Sequence, residues 1–412
     1  MRSKPSVDLR ALLHAVEASS PTQGVDTLAA ELGQMVGAAE VSFLIVDIAG
    51  GILVRLARAA REGEAVRERV SADNIKIDGS AAGAALRTQQ VQIVPLTDGD
   101  TVWVYAPVTE RGEPVGVLEL LLPYRPDAET VGYLAAAAHA LAFVVIADRR
   151  YTDLYEWGSR SVRLTLEAEI QRRLLPLSYT CEAGQFTLGG WLVPATSAGG
   201  DTFDFALDRD VLHLSITDAM GHGVAAALLA TLGVGSLRNS RREGLPLVEH
   251  ARQANNALTE HACADQFLTG QLFRIELATG RVEVVNAGHV RPLLVRDGVL
   301  TEVALHADPA FGIDPATTFQ LQELTLLPGD RLVLLTDGML ERNAEEAKID
   351  QLLPQLVALH PREAVQTLTA AVVTASQGEL EDDATVLVLD WYGGLTQTRD
   401  ASSGATNDRA SA

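Results

Sequence analysis

Asp218 closes the run LHLSITD, residues 212–218, in which Leu212, Leu214 and Ile216 alternate with His213, Ser215 and Thr217. That period of two is a half-buried strand. The sequence therefore holds a carboxylate where a rigid strand opens into a loop. The loop reads Gly221-His222-Gly223, a tight turn with close backbone approach, and residues 224–232, rich in Ala and Leu, read as a helix. The setting recurs. Asp337 follows the apolar run 331–335, itself preceded by a Pro-Gly-Asp turn; Asp382 and Asp383 precede ATVLVLDW at 384–391; Gly199-Gly200-Asp201 precedes Phe203-Asp204-Phe205. One such Asp is ordinary turn chemistry. Four alike in setting and far apart in sequence form a set of hard oxygen donors, the kind that Mg²⁺ and Mn²⁺ take.

The elements that must bring these residues together are short strands in runs, at 185–193, 203–207, 211–217, 270–277, 281–286, 292–296, 320–326, 331–336 and 384–391. Paired helices fall between them, at 224–237 with 247–262 and at 352–359 with 362–376. This order predicts an α+β domain of two packed antiparallel sheets covered by helices, and not a doubly wound parallel sheet.

At 412 residues the chain is too long for one ordinary core, and its 47% hydrophobic content can fill two. A formal charge of −21 argues against nucleic acid or an anionic membrane as the main partner. A phosphorylated substrate would have to be drawn by metal or by local Arg. Cys181 and Cys263 lack metal-ligand spacing and read as reduced thiols in a cytosolic setting. No signal peptide is visible, and the most apolar helical run, 134–147, is short for a bilayer and carries His139, so no membrane insertion is expected.

The first 125 residues read as two amphipathic helices (7–18 and 24–37), a hairpin (41–47 with 52–57), a middle helix (79–88), a short strand (91–95) and a closing hairpin (102–108 with 115–122). With YAPVTERGEPVGVLELLLP at 105–123, this region resembles a GAF-like sensory domain. No ligand residue carries over. Residues 126–176 read as a helical linker, continuous over 128–175, with an apolar stripe including Leu134, Leu141, Val144, Val145, Leu154, Val162 and Ile170; such a rod would move as one body or pair with its twin in a homodimer. Pro176 stops it, residues 177–392 form the second domain, and the Gly, Ser and Thr content of 393–412 reads as a disordered tail.

Six motifs occur in the order and spacing of the PP2C-like phosphatases of the SpoIIE/RsbU type: IQRRLLP (170–176), PATSAGGDTFDF (194–205), DAMGHGVAAALL (218–229), NAGHVRPLLV (286–295), LLPGDRLVLLTDGMLE (326–341) and EDDATVLVL (381–389). The resemblance implies an αββα sandwich and a metal-dependent serine/threonine phosphatase. It also implies a phosphorylated anti-sigma-factor antagonist of STAS type as partner. By the same resemblance two ions, Mn²⁺ or Mg²⁺, would be held by Asp218, the Ala219 backbone carbonyl, Asp337 and Asp382, with Asp201 supporting a metal or its waters; Asp204 and Asp383 are secondary candidates. Two such ions would acidify a bridging water and stabilise charge on phosphoryl oxygens. His222 and His289 are candidates for proton donation or for bracing their loops. Thr196-Ser197 stand where the family commonly has Arg, for which Arg291 is a candidate substitute. The resemblance further implies that motion of the helix ending in IQRRLLP carries the sensor's signal. A non-catalytic phosphoprotein scaffold and a hydrolase of small phosphorylated metabolites remain alternatives.

Overall fold

Alternation sorts the strand side chains of the second unit onto two faces, and each face acquires its own cover. The computed structural model describes residues 7–59, 74–97, 99–160, 164–195, 199–261, 266–340, 345–393, 399, 401 and 403–411. Val162, Thr196, Ser197 and Cys263 lie outside them. The chain divides into two compact units, residues 1–163 with 399–412 and residues 164–398.

In the first unit the order is α1 (Leu9–Glu17), α2 (Gly24–Val36), β1 (Glu40–Val46), β2 (Ile52–Ala59), β3 (Asn74–Lys76), α3 (Ala81–Thr88), β4 (Gln92–Pro95), β5 (Val102–Glu110), β6 (Glu113–Leu122), α4 (Ala128–Asp148) and α5 (Leu154–Gly158). The strands form one sheet in the order β3-β2-β1-β6-β5-β4. One face buries Phe43, Val104, Leu118 and Leu120 against Leu28 and Leu32 of α2 and Leu134 and Leu141 of α4. The other packs Leu44 and Val117 on Ala82 and Leu86 of α3.

The continuous linker helix is not observed. Helix α4 ends at Asp148, α5 is one short turn capped at Asp153, and α6 (Leu166–Leu174) starts afresh at Thr165, whose hydroxyl accepts the Ala168 N–H. The physical reason lies in the stripe itself: Leu134, Leu141, Val144 and Val145 are consumed by the core of their own unit, so the chain bends to stay on it. At 21 residues α4 is longer than its sequence suggested, and by length and composition alone it could cross a bilayer. Its apolar side instead closes the first unit's core. Nor is the C-terminal stretch a loose tail where it is described. Ala405 is 2% exposed, and the Gly112 N–H donates to the Gly404 carbonyl at 2.9 Å. The small residues that read as disorder are those that fit against the β5–β6 turn.

The second unit continues with β7 (Thr180–Glu182), β8 (Phe186–Val193), β9 (Thr202–Leu207), β10 (Val211–Ala219), α7 (Gly223–Arg242), α8 (Leu247–His261), β11 (Leu268–Glu276), β12 (Arg281–Ala287), β13 (Leu293–Arg296), β14 (Val299–Glu302), β15 (Gln322–Thr325), β16 (Arg331–Leu335), α9 (Ile349–Leu352), α10 (Pro361–Ala375) and β17 (Ala384–Trp391). They form two antiparallel sheets, β15-β12-β11-β10-β9 and β14-β13-β16-β17-β8-β7. Leu212, Leu214, Ile216, Phe273, Leu332, Leu334, Leu387 and Leu389 fill the space between the sheets. Leu272 and Val285 turn outward beneath α7 and α8; Val333, Leu335, Val386 and Val388 turn outward beneath α10. This is the αββα sandwich that the strand pattern predicts. Each fully buried aromatic at its centre, such as Phe203 or Phe273, contributes about 2–3 kcal/mol over its exposed state. Strands β7 and β14 were not legible in the sequence, being three and four residues long.

Candidate metal centre

Four strand ends meet along one edge of the sandwich. Strand β10 delivers Asp218 and the buried Ala219 at its C-terminus, Asp201 stands immediately before β9, Asp337 follows β16, and Asp382 and Asp383 precede β17. The close meeting is made by Gly200, where a Cβ would fall 2.3 Å from that of Ala219 and 2.8 Å from its carbonyl oxygen. Any side chain there would push the Asp201 loop off β10. The Gly221-His222-Gly223 turn works differently from its sequence reading. Gly221 and Gly223 adopt φ of +91° and +72°, yet nothing lies within 4 Å of an added Cβ at either, so they supply backbone conformation and not close approach.

Asp201 is 2% exposed and accepts hydroxyl bonds from Thr336 at 2.7 Å and Thr385 at 2.6 Å. Burial pushes its carboxyl well above the usual range; the neighbouring carboxylates of Asp218 and Asp383 push it further, and the two hydroxyls pull it back. Asp382 is raised first by burial and then by Asp383 and Asp337, with His222 opposing. Mutual repulsion of this kind marks a set of all-oxygen donors short of positive charge, which is the chemistry a hard divalent cation fits. The fit is of donor type and not of a finished cage. Among the described residues no three acidic, His or Cys side chains stand close enough to coordinate one ion as they are. Asp218 and Asp382 are half-buried and Asp337 is exposed at the same edge, so a bound ion would draw them together.

The two secondary candidates separate. Asp383 is 1% exposed and wholly engaged as an acceptor: it takes the Ala195 N–H at 2.8 Å, the Gly199 N–H at 3.0 Å and the side-chain amide of Gln171. It is a clamp on the Asp201 loop. Asp204 does not join the centre, because alternation along β9 turns Phe203 and Phe205 into the sandwich and Asp204 toward α7. There it receives Arg238 Nε at 3.1 Å and Arg241 Nη1 at 2.9 Å.

His222 is exposed at the head of α7, near enough to Asp382 to oppose its rise. His289 is 5% exposed, and its Nδ1 lies 2.8 Å from the Thr269 hydroxyl. Burial pushes it down to about 4. It is therefore neutral at pH 7 and braces the strand next to Asp218 rather than donating a proton at the surface. Arg291 is also occupied, with Nε on the Leu305 carbonyl at 3.1 Å and Nη1 on Glu302 at 2.9 Å. Three residues that sequence reasoning did not single out matter here: Thr336, Thr385 and Gln171, which donates to both Asp383 and the Asp201 carbonyl. Each lies beside or within a quoted motif, the only signal that could have found them.

A family model described as stage II sporulation protein E (SpoIIE) matches residues 208–392. The phosphoserine phosphatase RsbP of Bacillus subtilis is 26% identical over 242 residues, 54% of this chain and 57% of that protein. The phosphoserine phosphatase RsbU of the same organism is 22% identical over 232 residues, 55% of this chain and 69% of its own. The match thus spans little more than half the length of RsbP. Among solved structures, the RsbU and RsbW domains of Rv1364c from Mycobacterium tuberculosis show a TM-score of 0.46 and 23% identity, covering 54% of this chain and 63% of that one. The PP2C domain with a regulatory fragment of SpoIIE from Bacillus subtilis shows 0.45 and 20%, covering 52% and 66%. Residues 208–392, which lie within the C-terminal unit, are thus similar to the SpoIIE family of PP2C-like phosphatases.

Proposed function

We propose that the chain is a metal-dependent serine/threonine protein phosphatase that removes phosphate from a regulatory phosphoprotein, of the anti-sigma-factor-antagonist type. The observation that carries this reading is the convergence of Asp201, Asp218, Asp337 and Asp382 on one sandwich edge, with Asp201 and Asp382 raised by their neighbours. Asp201, Asp218, Asp337, Asp382 and the Ala219 carbonyl would hold two ions, Mn²⁺ or Mg²⁺. When bound, such ions supply an acidified water and a clamp on phosphoryl oxygens. The chain's own part is to fix the donors: Gly200 lets the Asp201 loop seat on Ala219, Asp383 ties that loop down, and His222, exposed and near Asp382, is the candidate to give a proton to a leaving serine or threonine oxygen.

Control by the N-terminal unit, read as a GAF-like sensor, is part of the same reading. It is supported by Gln171, which joins the helix of the IQRRLLP motif to Asp383 by one side chain. A homodimer is supported by exposed Phe143 and Ile146 on α4, and a cytoplasmic setting by Cys181, which is buried and outside any disulfide.

The test is phosphate release from an aryl phosphate and from a phosphoserine protein with Mn²⁺, Mg²⁺ or EDTA, alongside Asp218→Asn. Release that needs metal and drops by about a thousandfold or more in the variant is expected. Metal-independent release, or an unchanged variant, would sink the reading. Silence with every metal, together with partner binding that survives Asp218→Asn, would make the chain a scaffold.

A further inference from the structure

Threonines from two different strands end on the same oxygen of Asp201. Thr336, just past β16, donates its hydroxyl to Oδ2 at 2.7 Å, and Thr385, in β17, donates to that same Oδ2 at 2.6 Å. The Thr336 oxygen in turn accepts the Thr385 backbone N–H at 3.1 Å, which commits its hydrogen to Asp201. Both threonines are 0% exposed, and Asp201 is 2% exposed. A carboxylate oxygen offers two lone-pair sites. On Oδ2 both are filled, while among the described residues no hydrogen-bond donor reaches Oδ1.

We infer that Thr336 and Thr385 are positioning residues that make Asp201 a one-oxygen ligand and so bias the centre toward Mg²⁺ and Mn²⁺ and against Ca²⁺. The inference rests on the metal reading above. Ca²⁺ takes about six to eight oxygens and commonly uses both oxygens of a carboxylate, whereas Mg²⁺ requires near-octahedral geometry at short range. A carboxylate pinned through one oxygen suits the smaller ion. It denies the larger one its second contact. Without the two hydroxyls, Oδ2 would be free to swing onto the ion.

The Thr385→Val variant is the sharper probe, because it removes one donor, keeps the side-chain shape and leaves the Thr385 N–H paired with Thr336. Thr385→Ser restores the hydroxyl; Thr385→Ala stands in should the valine variant fail to fold, as judged by circular dichroism. Isothermal titration of the full chain with MnCl₂, MgCl₂ and CaCl₂, each alone, gives the Mn²⁺/Ca²⁺ affinity ratio. We expect this ratio to fall by about tenfold in Thr385→Val, the worth of one hydrogen bond to a charged group, and to return in Thr385→Ser. A folded Thr385→Val or Thr385→Ala with the wild-type ratio overturns the inference and leaves the metal reading standing. A wild-type chain that takes up none of the three ions overturns both, and that result is distinct because it shows in the unmutated protein.

Discussion

Asp201, Asp204 and Asp383 look alike in the sequence, each an Asp beside a short apolar run, and the folded chain gives them three different tasks. Asp201 is pinned by hydroxyls, Asp383 clamps backbone N–H groups, and Asp204 neutralises two arginines of α7. Only the last was separable in advance, since a period of two sends Asp204 to the helix side of β9, opposite Phe203 and Phe205. The other two depend on contacts between segments far apart in the chain, Asp201 with Thr385 at a separation of 184 residues and Asp383 with Ala195 at 188, which no local pattern carries. A prediction follows from the Asp204 assignment. Asp204→Ala would leave Arg238 and Arg241 without their carboxylate in a largely buried place and cost about 3 kcal/mol in urea unfolding. Mn²⁺ affinity should stay within about twofold. A large loss of affinity with unchanged stability would return Asp204 to the ligand set. Gly200→Ala should behave in the reverse way, with metal binding and turnover falling by about tenfold or more as the loop is pushed from Ala219, while the sandwich core stays folded.

At the scale of elements, most strands of the second unit were legible because their alternation is clean, and β17 has the bounds its sequence gives. The stretch between the units was not, because an apolar stripe cannot say whether it will meet a twin or its own sheet. Helix α10 shows a further dependence invisible in sequence. His360 caps it by accepting the Arg362 N–H on Nδ1 at 3.1 Å, and its Nε2 lies 3.1 Å from Glu182 of β7, so the neutral tautomer with hydrogen on Nε2 satisfies both. Burial pushes His360 down to about 4, helped by Arg362 and Arg331 and opposed by Glu182. An unfolded chain takes up this proton below about 6.5, the folded chain only near 4. Stability therefore has no contribution from this group above pH 6.5 and falls as pH drops through that window, by up to about 3 kcal/mol at the lower end. His213, also pushed down to about 4 by burial beside His250, adds to the same slope. Urea unfolding from pH 7.5 to 4.5, read with an NMR titration of the His360 ring, checks this. A folded-state His360 titrating near 6.5 would refute it.

For the whole molecule, the consequential boundary lies ahead of α6. The sequence places the second domain at 177, after Pro176, whereas the chain's contacts group residues 164–398, so that α6 travels with the sandwich. The reason is specific. Gln171 is 2% exposed and donates to Asp383 and to the Asp201 carbonyl at 2.9 Å, while the Leu174 carbonyl receives Arg238 of α7. Removing α6 would strip a donor from a buried carboxylate that already carries a raised proton affinity, and would free the loop that Asp383 holds. The second unit has its own three buried clusters, between the sheets and beneath each helical layer, so it has the core to fold alone. We therefore expect a fragment of residues 164–398 to fold cooperatively and to bind Mn²⁺ at an affinity set by its own loop. A fragment of residues 177–398 should also fold but bind Mn²⁺ at least about tenfold more weakly, as should the 164–398 fragment carrying Gln171→Ala. Titration calorimetry on the three, with urea unfolding to confirm that each is folded, decides the matter. Equal affinities would mean that α6 is only a strut, and that any signal from the first unit reaches the metal edge by another route.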